Sequence, residues 1–369
     1  MMNAAPSLLN LSGLSAMERK LCLKVNRSSG ESMKRALSKA SIFDNSRRIA
    51  STGQNLLLPI LVEPPISLQA ELADIGLFEV LDSDLPKPRP SRPTLRRLLD
   101  GEVPLGLISL IPKSFDVLGD LVLLEPVSDS LLPYINSIGN ALLKLNKSAH
   151  TVLLKTGKVD GIFRVPSYTF VAGVDKRKTT STEYGVRLNI DVSKVYYSPR
   201  LGCERNRVAS LVGDGETVVD MFAGVGPFSI LIARRRMAKV YSIDINPDAV
   251  ALLRENISMN KLRGEVVPIL GNAAAVSNTI AGVADRVIMN LPKSSLDFFD
   301  AALRVLKSSG GIVHLYVFSG GDPVQGAAKL LEHRAKPPGV SCTVERTKVV
   351  KEVAPHEYMV ALDLKIAKN

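Results

Sequence analysis

Polar residues that could hold a ligand follow two short apolar runs in the second half of the chain. One run ends in Asp220 and leads into a turn with Gly224 and Gly226, after which an apolar helix is predicted. The other run ends in Asp244, and an acid about twenty residues beyond such a turn binds ribose hydroxyls in nucleotide-binding folds. Glycines allow the sharp turn and the close approach of backbone to ligand. The pattern therefore predicts a nucleoside-containing cofactor at the carboxyl ends of two parallel strands.

Two further strand ends carry side chains that can bind a base. Asn272 and Ala273 follow one apolar run, where a polar side chain can bind an adenine amino group, although Asp is commoner there than Asn. Asn290 and Pro292 follow the next run, and a rigid proline turn holds an amide at a fixed distance from a target ring nitrogen. Each signal alone also fits a plain structural turn. Because the carboxyl ends of parallel strands share one edge, the four ends together predict a single site.

The glycine turn lacks the third glycine of the dinucleotide fingerprint. Residues 220–228 instead resemble the loop that binds S-adenosylmethionine (AdoMet) in class I methyltransferases. From residue 201 onward, strands and helices alternate, which predicts a mostly parallel sheet with helices on both faces. The expected fold class is therefore α/β, with a class I (Rossmann-like) AdoMet methyltransferase domain at 201–369 preceded by two smaller α+β domains.

The chain ahead of this domain divides into three regions. Residues 1–70 alternate strand-like and helix-like runs and predict a small N-terminal domain. Region 71–110 is assigned to a Pro-rich linker, because closely spaced prolines at 84–93 hold the backbone extended. Residues 111–200 predict a second, mixed α+β domain, and a strand is expected near 107–111.

The composition excludes several protein classes and favours one kind of partner. The chain has 369 residues, enough for two or three domains, and no apolar run near twenty residues, which argues against a membrane span. Cys22, Cys203 and Cys342 lie far apart and form neither a disulfide nor a metal pattern. Together with the lack of a secretory leader, this predicts a cytoplasmic protein. The net charge of +11 favours a polyanion such as nucleic acid, although a solvated basic surface without a partner fits equally well.

Methylation of N1 of guanine would require a defined set of groups. N1 carries a proton that must leave as the methyl group arrives, and negative charge builds toward O6. A carboxylate would serve as the base, and a guanidinium and an amide would donate to O6. Glu204 and Arg205 lie just ahead of the predicted sheet, where by themselves they fit the first turn of a helix. Arg164 by itself is an ordinary surface residue.

The combination of residues 194–205, 220–228 and 290–292 resembles the archaeal and eukaryotic tRNA (guanine-37-N1)-methyltransferases, over most of the chain. The resemblance implies methyl transfer from AdoMet to N1 of guanine-37, the purine beside the anticodon, without a metal. It also implies that the two leading domains bind RNA and that the partner is tRNA, contacted at its anticodon loop and outer corner. A monomer is expected.

Roles for individual residues follow from the same resemblance. It implies that Glu204 is the general base, that Arg164 stabilises O6, and that the amide of Asn290 lies at the target base. Tyr196 and Pro292 are expected to flank the guanine. The residues expected to bind AdoMet are Arg205, Phe222, Gly224, Gly226, Asp244, Ile245, Asn272, Ala273 and Asn290.

Three other functions remain open at this point. The first is a wyosine-pathway relative that transfers an aminocarboxypropyl group to a tricyclic guanine at tRNA position 37, or methylates it. Residues 290–292 argue against the aminocarboxypropyl enzymes, which lack this motif. The second is a non-catalytic tRNA-binding module, against which Asp244, Asn290 and Glu204 argue. The third is an amino-methylase of rRNA or DNA, which the opening region and Arg164 disfavour.

Overall fold

The computed structural model describes residues 18–87, 93–157, 161–334 and 339–368. The chain divides into two compact units at the boundary between Pro93 and Thr94. No helix in the described residues is long and apolar enough to cross a membrane.

The described part of the first unit is an antiparallel sheet with two helices. Its elements are β1 (Glu18–Asn26), α1 (Gly30–Lys39), β2 (Ala50–Thr52), β3 (Asn55–Pro59), α2 (Ile66–Ile75) and β4 (Phe78–Leu85). The strand order is β2-β3-β1-β4. Helix α1 buries Met33, Ala36 and Leu37 on one face and carries Glu31 in its first turn and Lys39 in its last, as the helix dipole favours. These side chains pack with Leu58 and Leu72 into the core of this unit.

The first part of the second unit has a four-stranded sheet and a separate hairpin. Its elements are α3 (Leu95–Leu98), β5 (Asp116–Leu118), β6 (Leu121–Leu124), α4 (Ile135–Leu145), β7 (Thr151–Lys155), β8 (Tyr168–Gly173), β9 (Lys178–Glu183) and β10 (Val186–Asp191). The sheet order is β5-β6-β7-β8, and β9 pairs with β10.

The rest of the second unit alternates strands and helices. These elements are α5 (Gly202–Leu211), β11 (Thr217–Asp220), α6 (Pro227–Arg235), β12 (Lys239–Asp244), α7 (Pro247–Ser258), β13 (Glu265–Leu270), α8 (Ala273–Val276), β14 (Arg286–Met289), α9 (Phe299–Val305), β15 (Gly311–Gly320), α10 (Pro323–Arg334), β16 (Val340–Ala354) and β17 (Glu357–Lys368). They form a seven-stranded sheet in the described residues, in the order β13-β12-β11-β14-β15-β17-β16. The first five strands in this order are parallel to one another, and β17 and β16 close the edge in antiparallel pairing. The predicted mostly parallel sheet is thereby confirmed.

This sheet reverses its connection order between β11 and β14. From β11 the chain winds outward through β12 to β13 and then returns to the other side of β11 with β14. Ligands in open α/β sheets bind in the crevice at such a switch point, beyond the carboxyl ends of the strands. The four predicted strand ends belong to β11, β12, β13 and β14, so the topology places them around this crevice.

Two expectations for the region 71–110 are corrected. Its segment Phe78–Leu85 is strand β4, which pairs with β1 along its whole length, so it belongs to the sheet of the first unit and not to a linker. Residues 107–111 are not a strand: Leu105–Leu110 forms a 3₁₀ helix, bounded by Pro104 and Pro112. Residues 78–85 form a strand because they pair with β1, which is distant in the sequence. The local residue pattern does not predict such pairing. Of the prolines that suggested the linker, those at 88–92 lie outside the described residues.

Candidate active site

One cavity of about 690 Å³ lies at the carboxyl ends of the parallel strands. Most of the residues predicted for the site line it: Arg164, Tyr196, Arg205, Phe222, Gly224, Asp244, Ile245, Asn272, Ala273, Asn290 and Pro292. Glu204 and Gly226 are not among the described residues that line it. The fold thus brings residues from the segment after β7, the segment after β10 and four strand ends to one place.

The glycine turn after β11 is held against the end of β12. Gly224 has φ 55° and donates its N–H to Asp244 Oδ2 at 2.7 Å, while Asp244 Oδ1 accepts from the N–H of Asn246 at 2.9 Å. Gly226, with φ 86°, is the N-cap of α6, and a Cβ there would lie 2.3 Å from Leu253 Cδ1. Both positions therefore favour glycine for backbone conformation, and a side chain at Gly226 would also have to displace the Leu253 side chain.

These residues fit the adenosyl part of AdoMet. The Asp244 carboxylate accepts hydrogen bonds from the N–H groups of Gly224, Asn246 and Ile245, and since a carboxylate has about four acceptor positions, one remains for a ribose hydroxyl. A Cβ added at Gly224 would lie 4.0 Å from its nearest neighbour, the Tyr196 carbonyl oxygen, so the backbone here is open to a ligand. Phe222 and Phe298 both line the cavity and pack edge to face at 5.1 Å, so they form an apolar wall. Burial raises the pKa of Asp244, and the N–H groups of Asn246 and Gly224 oppose that rise.

Asn272 is placed by local capping. Its side-chain oxygen accepts the N–H of Ala274 at 2.8 Å and caps helix α8, so the side chain sits at the end of β13 with a fixed orientation. An Asp at this position would cap the helix in the same way. The departure from the commoner acid therefore preserves the local structure and leaves an amide, not a second carboxylate, at the cavity wall.

Asp220, at the end of β11, is fully buried, and its Oδ2 accepts a hydrogen bond from Ser229 Oγ at 2.8 Å. Burial raises the pKa of its carboxyl to about 7, with the charge of Asp244 adding to the rise and the Ser229 hydroxyl opposing it. In an unfolded chain the same carboxyl titrates at about 4. Between about pH 4 and pH 7 the Asp220 carboxyl is therefore protonated in the folded chain and ionised in the unfolded chain.

This proton predicts a pH-dependent stability that Asp220→Asn should remove. Since the folded chain binds more protons than the unfolded chain between about pH 4 and 7, its free energy of unfolding falls as pH rises through that window. The loss attributable to Asp220 is on the order of 2 to 4 kcal/mol. Urea unfolding of both proteins without AdoMet at pH 5 and pH 8, two values that span most of this fall, measures it. Asn should gain relative to wild type at the higher pH, and an unchanged difference between the two pH values would contradict the assignment.

Arg164 reaches the turn after β14 across a long sequence distance. Its Nη2 donates to Ser294 Oγ at 3.1 Å, and its backbone, with φ 53°, closes a turn by donating to the Gly161 carbonyl at 3.3 Å. The turn itself is fixed by Ser295, whose Oγ donates to the Met289 carbonyl and accepts the N–H of Leu291. Arg164 and the 290–292 motif thus share one wall of the cavity.

Arg205 is bonded to the segment that follows β10. Its guanidinium donates to both carboxylate oxygens of Glu183, to Tyr197 Oη at 3.1 Å and to the Ser198 carbonyl at 3.1 Å. It also lies over the Tyr197 ring, 4.9 Å from the centroid. The residue lines the cavity, but these bonds show that it positions the segment carrying Tyr196.

Glu204 is buried among donors, with only 1% of its surface exposed. Its carboxylate accepts hydrogen bonds from Arg207 Nε at 2.9 and 3.0 Å, Tyr316 Oη at 3.0 Å and Lys348 Nζ at 3.1 Å. Burial by itself would raise the pKa of Glu204, but the bonds and charge of Arg207, with Lys348 and Tyr316, hold it below its usual value. The carboxylate is therefore ionised at neutral pH.

Sequence reasoning missed the partners of Glu204. Arg207 also donates to both oxygens of Asp363, and Asp363 Oδ1 lies 2.6 Å from His314 Nδ1. The i, i+3 spacing of Glu204 and Arg207 on helix α5 was a usable signal. Tyr316, Lys348 and Asp363 lie on β15, β16 and β17, and only the pairing of these strands brings them to α5.

Comparisons with known proteins find family matches along most of the chain. Family models match at residues 22–67 (tRNA methyltransferase 5 N-terminal domain), 95–176 (TYW2 N-terminal domain) and 179–358 (TRM5/TYW2 methyltransferase domain). The tRNA (guanine(37)-N(1))-methyltransferase Trm5b of Pyrococcus abyssi is 36% identical over 94% of this chain and 99% of its own length. The Trm5b of Methanocaldococcus jannaschii is 39% identical over 95% of this chain and 99% of its own.

Solved structures confirm the fold class. Crystalline Trm5b from P. abyssi superposes with a TM-score of 0.70 at 36% identity, covering 94% of this chain and 99% of that one. A complex of aTrm5 with tRNALeu gives 0.65 at 38% identity, covering 94% and 99%. M. jannaschii Trm5 bound to adenosine gives 0.62 at 36% identity, covering 95% and 100%.

Other relatives are named for reactions of 4-demethylwyosine at tRNA position 37. A tRNA 4-demethylwyosine(37)-methyltransferase, Taw21, of Saccharolobus solfataricus is 33% identical over 69% of this chain and 94% of its own length. An aminocarboxypropyltransferase of Pyrococcus horikoshii that acts on 4-demethylwyosine(37) of tRNA(Phe) is 34% identical over 61% and 78%.

Proposed function

The chain belongs to the TRM5/TYW2 methyltransferase family, and we propose that it transfers a methyl group from AdoMet to N1 of guanine-37 in tRNA. One observation carries the proposal: a single cavity joins the cofactor-type ends of β11, β12 and β13 to Arg164, Tyr196 and Asn290. Relatives named for this reaction align over nearly the full length of the chain.

AdoMet would supply an electrophilic methyl group on its sulfonium sulfur. The residues that would hold its adenosyl part are Asp244 and Ile245 after β12, Asn272 and Ala273 after β13, and the Phe222–Gly224 turn, all on the cavity wall. Because these side chains follow neighbouring parallel strands, they are rigidly spaced, as in-line transfer requires.

A second group of lining residues suits the acceptor base. Asn290 presents an amide beside the rigid Pro292 turn, and Arg164 presents a guanidinium that can donate to O6 as charge develops there. We propose that Tyr196 and Pro292 flank the guanine ring. Since N1 lies on the pairing edge, the base has to leave the anticodon stack to reach these groups.

We propose that Glu204 accepts the N1 proton. Its low pKa keeps the carboxylate in the basic form, and its neighbour Arg205 lies on the cavity wall. Since the carboxylate is bonded to Arg207, Tyr316 and Lys348 behind that wall, it has to exchange at least one of these bonds for the substrate proton. The step therefore requires that Arg207, Tyr316 or Lys348 release the carboxylate.

The broader assignment follows from the same resemblance. We propose that tRNA is bound through its anticodon loop at the cavity and through its outer corner by the N-terminal domain of residues 1–70. The second RNA-binding domain and the methyltransferase domain are proposed at 111–200 and 201–369. The predicted linker at 71–110 is not kept, because α2 and β4 belong to the first unit and Leu95, Leu99 and Val103 pack in the core of the second. We further propose that the enzyme acts as a monomer in the cytoplasm.

A second candidate is wyosine-pathway chemistry at the same nucleotide. The match of residues 95–176 to the TYW2 N-terminal domain and the relatives that act on 4-demethylwyosine favour it. The two reactions differ in the acceptor and in the mass that is added.

Methyl transfer to tRNA transcripts tests the proposal. The purified protein with AdoMet should methylate a transcript with G37 and leave the matched transcript with A37 unmodified, since the 6-amino group of adenine cannot accept the hydrogen bond that Arg164 donates to O6 of guanine. Mass spectrometry of the digested product should find one added methyl group on guanine. Added aminocarboxypropyl mass, or activity on 4-demethylwyosine tRNA alone, would replace this function by the second candidate.

A further inference from the structure

The loop before Arg164 carries two exposed apolar side chains that the reaction above does not use. Ile162 is 77% exposed and Phe163 is 47% exposed, and both line the rim of the cavity. An exposed aromatic ring contributes little to the free energy of folding, because its apolar surface stays in water. A ring kept at the mouth of a nucleic-acid site therefore indicates a contact with a ligand.

The loop is built to hold this ring in place. Gly161 has φ 72° and Arg164 has φ 53°, and the Arg164 N–H closes the turn on the Gly161 carbonyl. The guanidinium of Arg164 ties the end of the turn to Ser294. Phe163 thus lies between two fixed points, adjacent to the arginine that faces the acceptor base.

The charges at the rim match a nucleic acid strand. Arg164, Lys293 and Lys351 line the same cavity, and Asp244 is the one carboxylate among the described residues that do. Asp244 belongs to the cofactor end, so the acceptor end is cationic. An aromatic face beside cations that attract phosphate is how proteins bind unpaired nucleotides, because every base offers a π-face for stacking.

We propose that Phe163 stacks on an unpaired nucleobase that neighbours the target guanine in the anticodon loop, and so holds the loop open while the target base is in the cavity. The proposal rests on the proposed function for the identity of the nucleic acid. The target base itself is not the partner, because Tyr196 and Pro292 are assigned to its two faces. Phe163 is thus a substrate-binding residue, with a role in the affinity for tRNA and not in the chemical step.

A fluorescent base placed in the tRNA tests the contact directly. Transcripts with 2-aminopurine on either side of nucleotide 37 are titrated with the protein and AdoMet. Stacking on Phe163 should quench one of the two positions. Phe163→Leu keeps apolar volume without a ring and should abolish the quench and weaken tRNA binding about 5- to 100-fold, the loss of one stacked base. Phe163→Trp should restore both.

Matched controls separate this role from others. Tyr184 is also about half exposed at 45% and does not belong to the described cavity lining, so Tyr184→Leu should leave the quench and tRNA affinity unchanged. AdoMet affinity should be the same in wild type and Phe163→Leu; a loss there would place the ring against the cofactor and overturn the proposal. An unchanged quench in Phe163→Leu would overturn it as well. Because the titration measures binding, a quench without methylation of G37 would leave the stacking in place and remove only the proposed reaction.

Discussion

Alanine in place of Arg164 is expected to lower the single-turnover rate of methyl transfer to a G37 tRNA by about 10²- to 10³-fold, the effect of removing one donor to a developing oxyanion. The affinity for tRNA should fall much less. O6 carries appreciable negative charge only as the N1 proton leaves, so the guanidinium acts mainly in the transition state. Rapid-quench transfer at saturating tRNA, beside a binding titration, measures the two quantities. Equal losses in both would reduce Arg164 to a phosphate contact.

Two neighbouring variants show how Arg164 acts. Ser294→Ala removes the hydrogen bond that holds the guanidinium and keeps the guanidinium itself, so it should cost less than Arg164→Ala. Lys293→Ala removes an exposed rim cation and should weaken tRNA binding with little effect on the transfer rate. Equal transfer losses for Ser294→Ala and Arg164→Ala would mean that the bond to Ser294 is the whole function of the arginine.

Glutamine in place of Glu204 is expected to affect both the reaction and the fold. Loss of the base should lower single-turnover transfer by about 10²- to 10⁴-fold and leave AdoMet affinity nearly intact. Loss of the charge leaves Lys348 facing a neutral amide and leaves Arg207 with Asp363 as its remaining acid, which should lower the free energy of unfolding by about 1 to 3 kcal/mol. Transfer at saturating tRNA and AdoMet, measured well below the melting temperature, separates the two effects.

Asp363→Asn is the matched control for Glu204. It disturbs Arg207 from the other side, since Arg207 pairs with both acids, but it leaves the Glu204 carboxylate in place. We expect lost stability with retained transfer. Wild-type transfer in Glu204→Gln, accompanied by lost stability, would show that the residue holds α5 to β15–β17 and is not the base.

The pH dependence of methyl transfer also tests whether Glu204 is the base. Arg207, Lys348 and Tyr316 hold the pKa of Glu204 low, so the carboxylate is ionised in wild type over the neutral range. The stability from this pairing is present above the ordinary carboxyl pKa and is lost as pH falls through the lowered folded value. Weakening the pair with Arg207→Lys should raise that pKa and move the acid limb of the transfer rate to higher pH.

The sequence by itself determined the sheet of the methyltransferase domain and its cofactor end. Apolar runs, each followed by a turn residue, predicted β11 to β14. The cofactor end depends on local features of the chain: the conformation of the glycine turn, the acid Asp244 at the end of β12, and the capping of α8 by Asn272. Because the carboxyl ends of adjacent parallel strands lie at one edge of the sheet, parallel pairing then brought these residues together in one site. The resemblance added the tRNA substrate and the names of residues far apart in sequence.

Only the tertiary structure decided how those distant residues meet. The bond from Arg164 to Ser294 spans 130 positions. The bonds that Tyr316 and Lys348 donate to Glu204, and the bonds that Arg207 donates to Asp363, depend on how three strands pair. Strand β4 was missed for the same reason, since its partner β1 lies far from it in the chain. Local patterns report the backbone's own preferences. The burial that turns Glu204 from a helix-end acid into a paired, ionised carboxylate comes from neighbours that only folding supplies.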